Sequence, residues 1–169
     1  VCSSDLLLPI LRRHFGLPGP SLEAVLKCEH KYWSRIEQAQ SVPECVPAFQ
    51  AVDPFADDPA DQIELAYPFW IKPVKAHSSQ LGFRIDDPEM LRRVVPIIRK
   101  GIGRLARPFE EISAYAEVPD DIAQVTGHHC IAESMISAGE QCTLEGYLLN
   151  GEPHIYGVID TGRHSHHRS

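Results

Sequence analysis

Apolar residues recur first at helical spacing and then in short strand-like runs, so the chain reads as helices leading into a mixed sheet. Asp5 can cap a short helix carrying Leu6, Leu7, Ile10 and Leu11, which Gly16-Leu17-Pro18-Gly19-Pro20 then breaks. Ser21 is a good N-cap for a second helix, with Leu22, Val25 and Leu26 on one face. A third, from about Lys31 to Ala39, presents Tyr32, Trp33 and Ile36 to the core. Val42 to Pro47 is a Pro-punctuated turn before a strand at Ala48–Val52, and the acidic run Asp53–Asp61 reads as an exposed loop.

The segment Tyr67-Pro68-Phe69-Trp70-Ile71-Lys72-Pro73-Val74-Lys75 predicts a buried strand ending in two basic residues. A small polar loop, Ala76 to Gln80, and a second strand, Leu81–Ile85, follow it. Asp86 or Asp87 can cap a helix with Pro88 in its first turn, running through Met90, Leu91, Val94 and Val95. Pro96 is expected to bend or end it, with another amphipathic helix over Ile97–Ala106. Pro108 to Gly127 is part helix and part loop. His129–Ser137, Gln141–Asn150 and His154–Asp160 then predict three strands in a meander, with Asn150-Gly151 as a hairpin turn. The pattern gives an α/β or α+β class without internal repeats.

Composition narrows this picture. The 169 residues suit one domain. No apolar run approaches the ~20 residues of a membrane span, and Leu6-Leu7-Leu8 lacks the basic flank of a signal peptide. With no initiator Met, the chain is expected to begin inside a longer protein or to be an incomplete gene model. A formal charge of −7 argues against nucleic acid as a general partner. Basic residues nevertheless cluster at Lys72 and Lys75 and from Arg92 to Arg107, where a single nucleotide could bind. Five scattered cysteines without a C-x-x-C spacing suit reduced thiols in the cytoplasm. Cys28, Cys45 and Cys142 have no evident base partner and are expected to be buried and inert, and Trp33 and Trp70 are expected in the core. Oligomeric state is not legible.

Two segments carry candidate chemistry. A strand delivering Lys72 and Lys75 into a loop with Ser78, Ser79 and Gly82 brings charge, hydroxyls and free backbone N–H groups together, the elements of an anion cradle. Glu133 and Glu140 edge the segment Ile131 to Glu140, where a strand and a Gly-containing turn can meet a purine edge and ribose hydroxyls. Taken singly, each also reads as solvated lysines or exposed glutamates. His128-His129-Cys130 with Cys142 has no zinc spacing, and the tail from Arg163 to Ser169 could bind metal only non-specifically.

The ordered combination resembles the ATP-grasp superfamily, over most of the chain from about Gly16 to Asp160. Lys31-Tyr32-Trp33-Ser34-Arg35 fits its Lys-x-x-x-Arg helix, and Phe69-Trp70-Ile71-Lys72-Pro73-Val74 fits its apolar-apolar-Lys-Pro strand. Ser78-Ser79-Gln80-Leu81-Gly82-Phe83 stands at its small-residue loop. Glu133-Ser134-Met135-Ile136 and Gly139-Glu140 reproduce its hinge, with the second Glu seven positions after the first.

The resemblance implies a partial ATP-grasp fold: a helical lead-in over 1–30, the N-terminal portion of the domain over 31–160 with its small lid subdomain and the start of the central antiparallel sheet, and a disordered or artefactual tail over 161–169. It implies that Lys31 and Lys72 contact ATP phosphates and that Ser78, Ser79 and Gly82 form the lid over them. Glu133 would accept from the adenine amino group, Met135 and Ile136 would offer backbone groups to its edge, and Glu140 would bind the ribose. The implied activity is ligation of a small carboxylate, activated as an acylphosphate for attack by an amine or similar nucleophile, with ATP and magnesium. The alternative is a non-catalytic nucleotide-binding or regulatory module. Two departures stand out. The lid Ala76-His77-Ser78-Ser79-Gln80 is glycine-poor, and the acidic residues and Glu-x-Asn motif that hold magnesium in the family have no counterpart here. No catalytic or metal-ligating residue is therefore assigned, and the isolated chain is expected to bind nucleotide weakly and to catalyse nothing.

Overall fold

The computed structural model describes residues 2–136 and 142–160, and the chain divides into two compact units after Ser134. In the first, helices α1 (Cys2–His14), α2 (Leu22–Glu29) and α3 (Lys31–Ser41) precede strand β1 (Phe49–Val52). Strands β2 (Phe69–Pro73) and β3 (Phe83–Ile85), helices α4 (Pro88–Ser113) and α5 (Asp120–Ala123), and strand β4 (Cys130–Ser134) follow. The second unit is a hairpin of β5 (Cys142–Leu149) and β6 (Glu152–Asp160).

The local signals explain most of these bounds. Ser21 caps α2 by accepting from the Ala24 N–H at 3.1 Å, and Asp87, with Pro88 next, caps α4 by accepting from Met90 at 2.7 Å. Helix α1 starts before Asp5, which lies in its first turn instead of capping it. The helix does not end at Pro96, and Ile97–Ala106 is no separate element: one helix of 26 residues runs through both Pro96 and Pro108. Both prolines face solvent, while the buried stripe Leu91, Val94, Val95, Ile98, Ile102, Ala106, Phe109 and Ile112 continues past them. Burial along that stripe outweighs the local loss of helical hydrogen bonding.

The first unit's sheet is antiparallel throughout, in the order β1-β4-β2-β3. Strand alternation gives it two unlike faces. One carries Val52, Phe69, Ile71, Ile85, Cys130 and Ala132, packed against the first half of α4. The second half of α4 packs with Leu6, Leu22, Leu26 and Trp33 of the N-terminal helices and with Ile122 of α5. Trp70 does not join the core. Phe69 and Ile71 point inward, so Trp70 is turned to the other face, 38% exposed and in register with Glu133 and Arg84.

The expected meander is also replaced. Strand β4 pairs with β1 and β2 inside the main sheet, while β5 and β6 pair with each other. The Asn150-Gly151 turn forms as expected, with φ of 53° and 84°, the left-handed values that two-residue hairpins favour. In the β5–β6 register Leu144, Ile155, Leu148 and Val158 share one face, and all four are exposed. The thiols also differ from expectation. Cys28, Cys45 and Cys142 are exposed, and it is Cys130, on the inward face of β4, that is buried, with burial and the nearby Asp53 pushing its thiol up to about 12.

Candidate functional site

The second sheet face, opposite α4, collects charge. Alternation places Lys72 of β2 and Glu133 of β4 on it, and α3 lies where Arg35 reaches the same carboxylate. Arg35 Nε donates to Glu133 Oε1 at 2.6 Å, and Lys72 Nζ pairs with Oε2. Glu133 is almost wholly buried. Burial raises its pKa, but hydrogen bonds from Lys72 and Arg35 outweigh it and hold the carboxyl below the usual range.

The start of α3 is tied to the end of β2. The Lys31 backbone N–H donates to the Val74 carbonyl at 3.0 Å, and its side-chain amine donates to the Ala76 carbonyl at the entry to the 76–82 loop. Burial, and then the charges of Lys72 and Lys75, bring the Lys31 amine down to about 8. Lys75 is itself buried, paired with Glu29 and 5.7 Å above the Phe109 ring. Four cations, Lys31, Arg35, Lys72 and Lys75, thus stand with two carboxylates, Glu29 and Glu133. The positive charge is in surplus, and Lys31, which has no carboxylate within the pairs above, is the cation whose charged form is disfavoured.

His30 fixes the geometry beneath this cluster. As the N-cap of α3 it accepts from the Trp33 N–H on Nδ1 at 3.2 Å, and its Nε2 lies 2.7 Å from the Val125 carbonyl. Those two partners define a neutral ring with the proton on Nε2. Burial drives its pKa down, only partly countered by the Val125 bond.

The loop after β2 makes two overlapping turns, closed by Gln80 N–H to His77 O at 3.0 Å and Gly82 N–H to Ser79 O at 3.2 Å. Ser78 and Ser79 are exposed, and a Cβ placed on Gly82 would lie 3.8 Å from that of Lys72. Lys31, Lys72, Glu133 and Gly82 are therefore brought together, with Ser78 and Ser79 on the same loop. Met135 and Ile136 follow directly on β4 but belong to the second unit, with exposed side chains. Glu140 and the 161–169 tail lie outside the described residues. Glu29 is absent from the residues singled out in the sequence, and Arg35 entered there only as the second charged position of the Lys-x-x-x-Arg helix, with no role assigned. Arg35 follows Lys31 by one helical turn, which places it on the same face, but its carboxylate partner is 98 positions away and no local signal points to it.

Among the described residues no group of three or more His, Cys, Asp or Glu is placed to hold a metal. His128 Nδ1 lies 2.9 Å from Glu110, and His129 Nδ1 lies 3.1 Å from the Thr126 hydroxyl. Glu133 already serves two cations. Cations outnumber carboxylates in this cluster, which suits it to an anion. Also among them, no helix is long and apolar enough to cross a membrane.

No protein-family model matches the sequence, and no curated protein is significantly similar to it. Solved structures are similar in fold. An L-amino acid ligase from Bacillus licheniformis superposes with a TM-score of 0.60 at 19% identity, covering 90% of this chain and 29% of that one. A D-alanine–D-alanine ligase from Helicobacter pylori gives 0.61 at 14% identity, covering 94% and 41%. The D-alanyl-alanine synthetase A of Vibrio cholerae O1 biovar eltor gives 0.58 at 11% identity, covering 89% and 39%. The chain therefore has the mixed helix and antiparallel-sheet fold of the ATP-grasp ligases, over part of its extent. It spans between 29% and 41% of the length of these structures.

Proposed function

We propose that this chain binds the phosphates of ATP through Lys31 and Lys72, as the nucleotide-holding part of a ligase that activates a small carboxylate as an acylphosphate for attack by an amine or similar nucleophile. The surplus of cations around Lys31 carries the reading. A lysine brought down to about 8 by burial and two like charges is an unfavourable arrangement until an anion arrives. A polyphosphate would relieve it, with Ser78, Ser79 and the backbone N–H groups of the loop lying over the same anion. Glu133, held by Arg35 and Lys72, would present one of its oxygens to the adenine amino group beside the Met135 and Ile136 backbone, and Glu140 would take the ribose.

The test is proton uptake. At pH 8 about half of Lys31 is neutral, and phosphate binding should recharge it. Calorimetric titration with ATP in two buffers of different ionisation enthalpy should show proton uptake at pH 8 and little at pH 6.5. Lys31→Met should abolish the uptake and weaken binding roughly tenfold or more. ATP binding with no proton uptake would sink the assignment of Lys31.

The second reading, a nucleotide-binding module without catalysis, is favoured by one observation. The only nearly buried carboxylate among the described residues is engaged by two cations and is not free for a metal. It predicts the same ATP affinity with magnesium and with EDTA, whereas the ligase reading predicts that magnesium strengthens binding.

A further inference from the structure

We propose that Gly101 of α4 is a socket for Leu81, and that this contact positions the 76–82 loop over the lysine cluster. The inference rests on the reading of that loop as the phosphate-binding element. Three of its residues that are not glycine, Ser78, Ser79 and Leu81, have φ of 50°, 57° and 54°. Each is in the left-handed region, which a Cβ disfavours, and two turn hydrogen bonds alone do not hold such a segment. Its ends are anchored from outside. At the entry, Lys31 donates to the Ala76 carbonyl. At the exit, Leu81 packs on the main core cluster, so close to α4 that a Cβ on Gly101 would stand 3.0 and 3.1 Å from its two methyl carbons. Three residues along α4, Arg104 Nη2 reaches Gln80 Oε1 at 3.5 Å.

Glycine inside a long helix is disfavoured relative to alanine, so its presence at 101 needs a reason, and the Leu81 side chain is in the space a larger residue would take. The loop lacks glycines of its own before Gly82. Its shape is set instead by a glycine in the helix beneath it. Leu81 and Gly101 are positioning residues: neither need touch the nucleotide.

The experiment is hydrogen exchange on the full chain, read by quenched-flow mass spectrometry without nucleotide, for Leu81→Ala and Gly101→Leu. Exchange at the Gln80 and Gly82 amides should rise at least tenfold in both variants, with peptides from β4 unchanged and ATP affinity reduced at least fivefold. Unchanged loop exchange in a folded variant overturns the socket. Faster exchange with wild-type ATP affinity overturns its role in positioning. Should Gly101→Leu not fold, Leu81→Ala decides alone. Wild-type protein that binds no ATP would remove the nucleotide reading and the loop's role with it, while the exchange data would still decide whether the socket holds the loop.

Discussion

At Glu133 two cations share one buried carboxylate, and its removal leaves both without their partner. Glu133→Gln should cost about 3 kcal/mol of stability at neutral pH, measured by urea unfolding. The folded carboxyl lies below the ordinary value of 4.5, so its stabilisation is present above that value and lost as pH falls through the folded one. Wild-type stability should therefore drop more steeply below pH 4.5 than that of the variant. Lys31 gives a pH dependence of the same sign in a higher window, although there it is the charged form that folding disfavours. Its folded value of about 8 lies below the 10.5 of the unfolded chain, which binds more protons between the two, so wild-type stability should rise from pH 8 to 10.5. Lys31→Met should flatten that rise. Lys72 and Glu133 stand out in the sequence because charged residues punctuate apolar runs there, whereas Lys31 enters only through the resemblance of Lys31–Arg35 to the ATP-grasp helix. The Glu29–Lys75 pair and the Leu81–Gly101 contact were not legible, because each is made only when distant elements meet.

Among the elements, α4 departs most from its local signals. Proline removes a helical hydrogen bond and crowds the carbonyl four residues back, here that of Arg92, and on those grounds a boundary at Pro96 was the reasonable expectation. The eight buried positions of its apolar stripe decide otherwise. Pro96→Ala restores the missing donor on an exposed surface, and should raise stability by about 1 kcal/mol and the thermal midpoint by roughly 2–4 °C. An unchanged or lowered midpoint would mean that the chain needs the proline. The caps at Ser21 and Asp87 and the Asn150-Gly151 turn were readable because each is settled within four residues. Strand partnership was not: three successive strands suggested a meander, yet β4 finds its partners in β1 and β2, which precede it by about sixty residues or more. Nothing local in a strand says which edge it will join.

On the scale of the whole molecule, the three core clusters found among the described residues are drawn entirely from the unit that ends at Ser134. A chain terminated after Ile136 should therefore unfold in one cooperative transition, with a midpoint within roughly 3 °C of the full chain by calorimetry. A broad transition would mean that the later residues complete the core. The β5–β6 hairpin, meanwhile, leaves Leu144, Leu148, Ile155 and Val158 in contact with water on a single face. That face will govern how the protein behaves in the hand. Sulfate strengthens the tendency of apolar surface to leave water, so the full chain should adhere to a phenyl column and salt out at a lower ammonium sulfate concentration than the chain ending at Ile136.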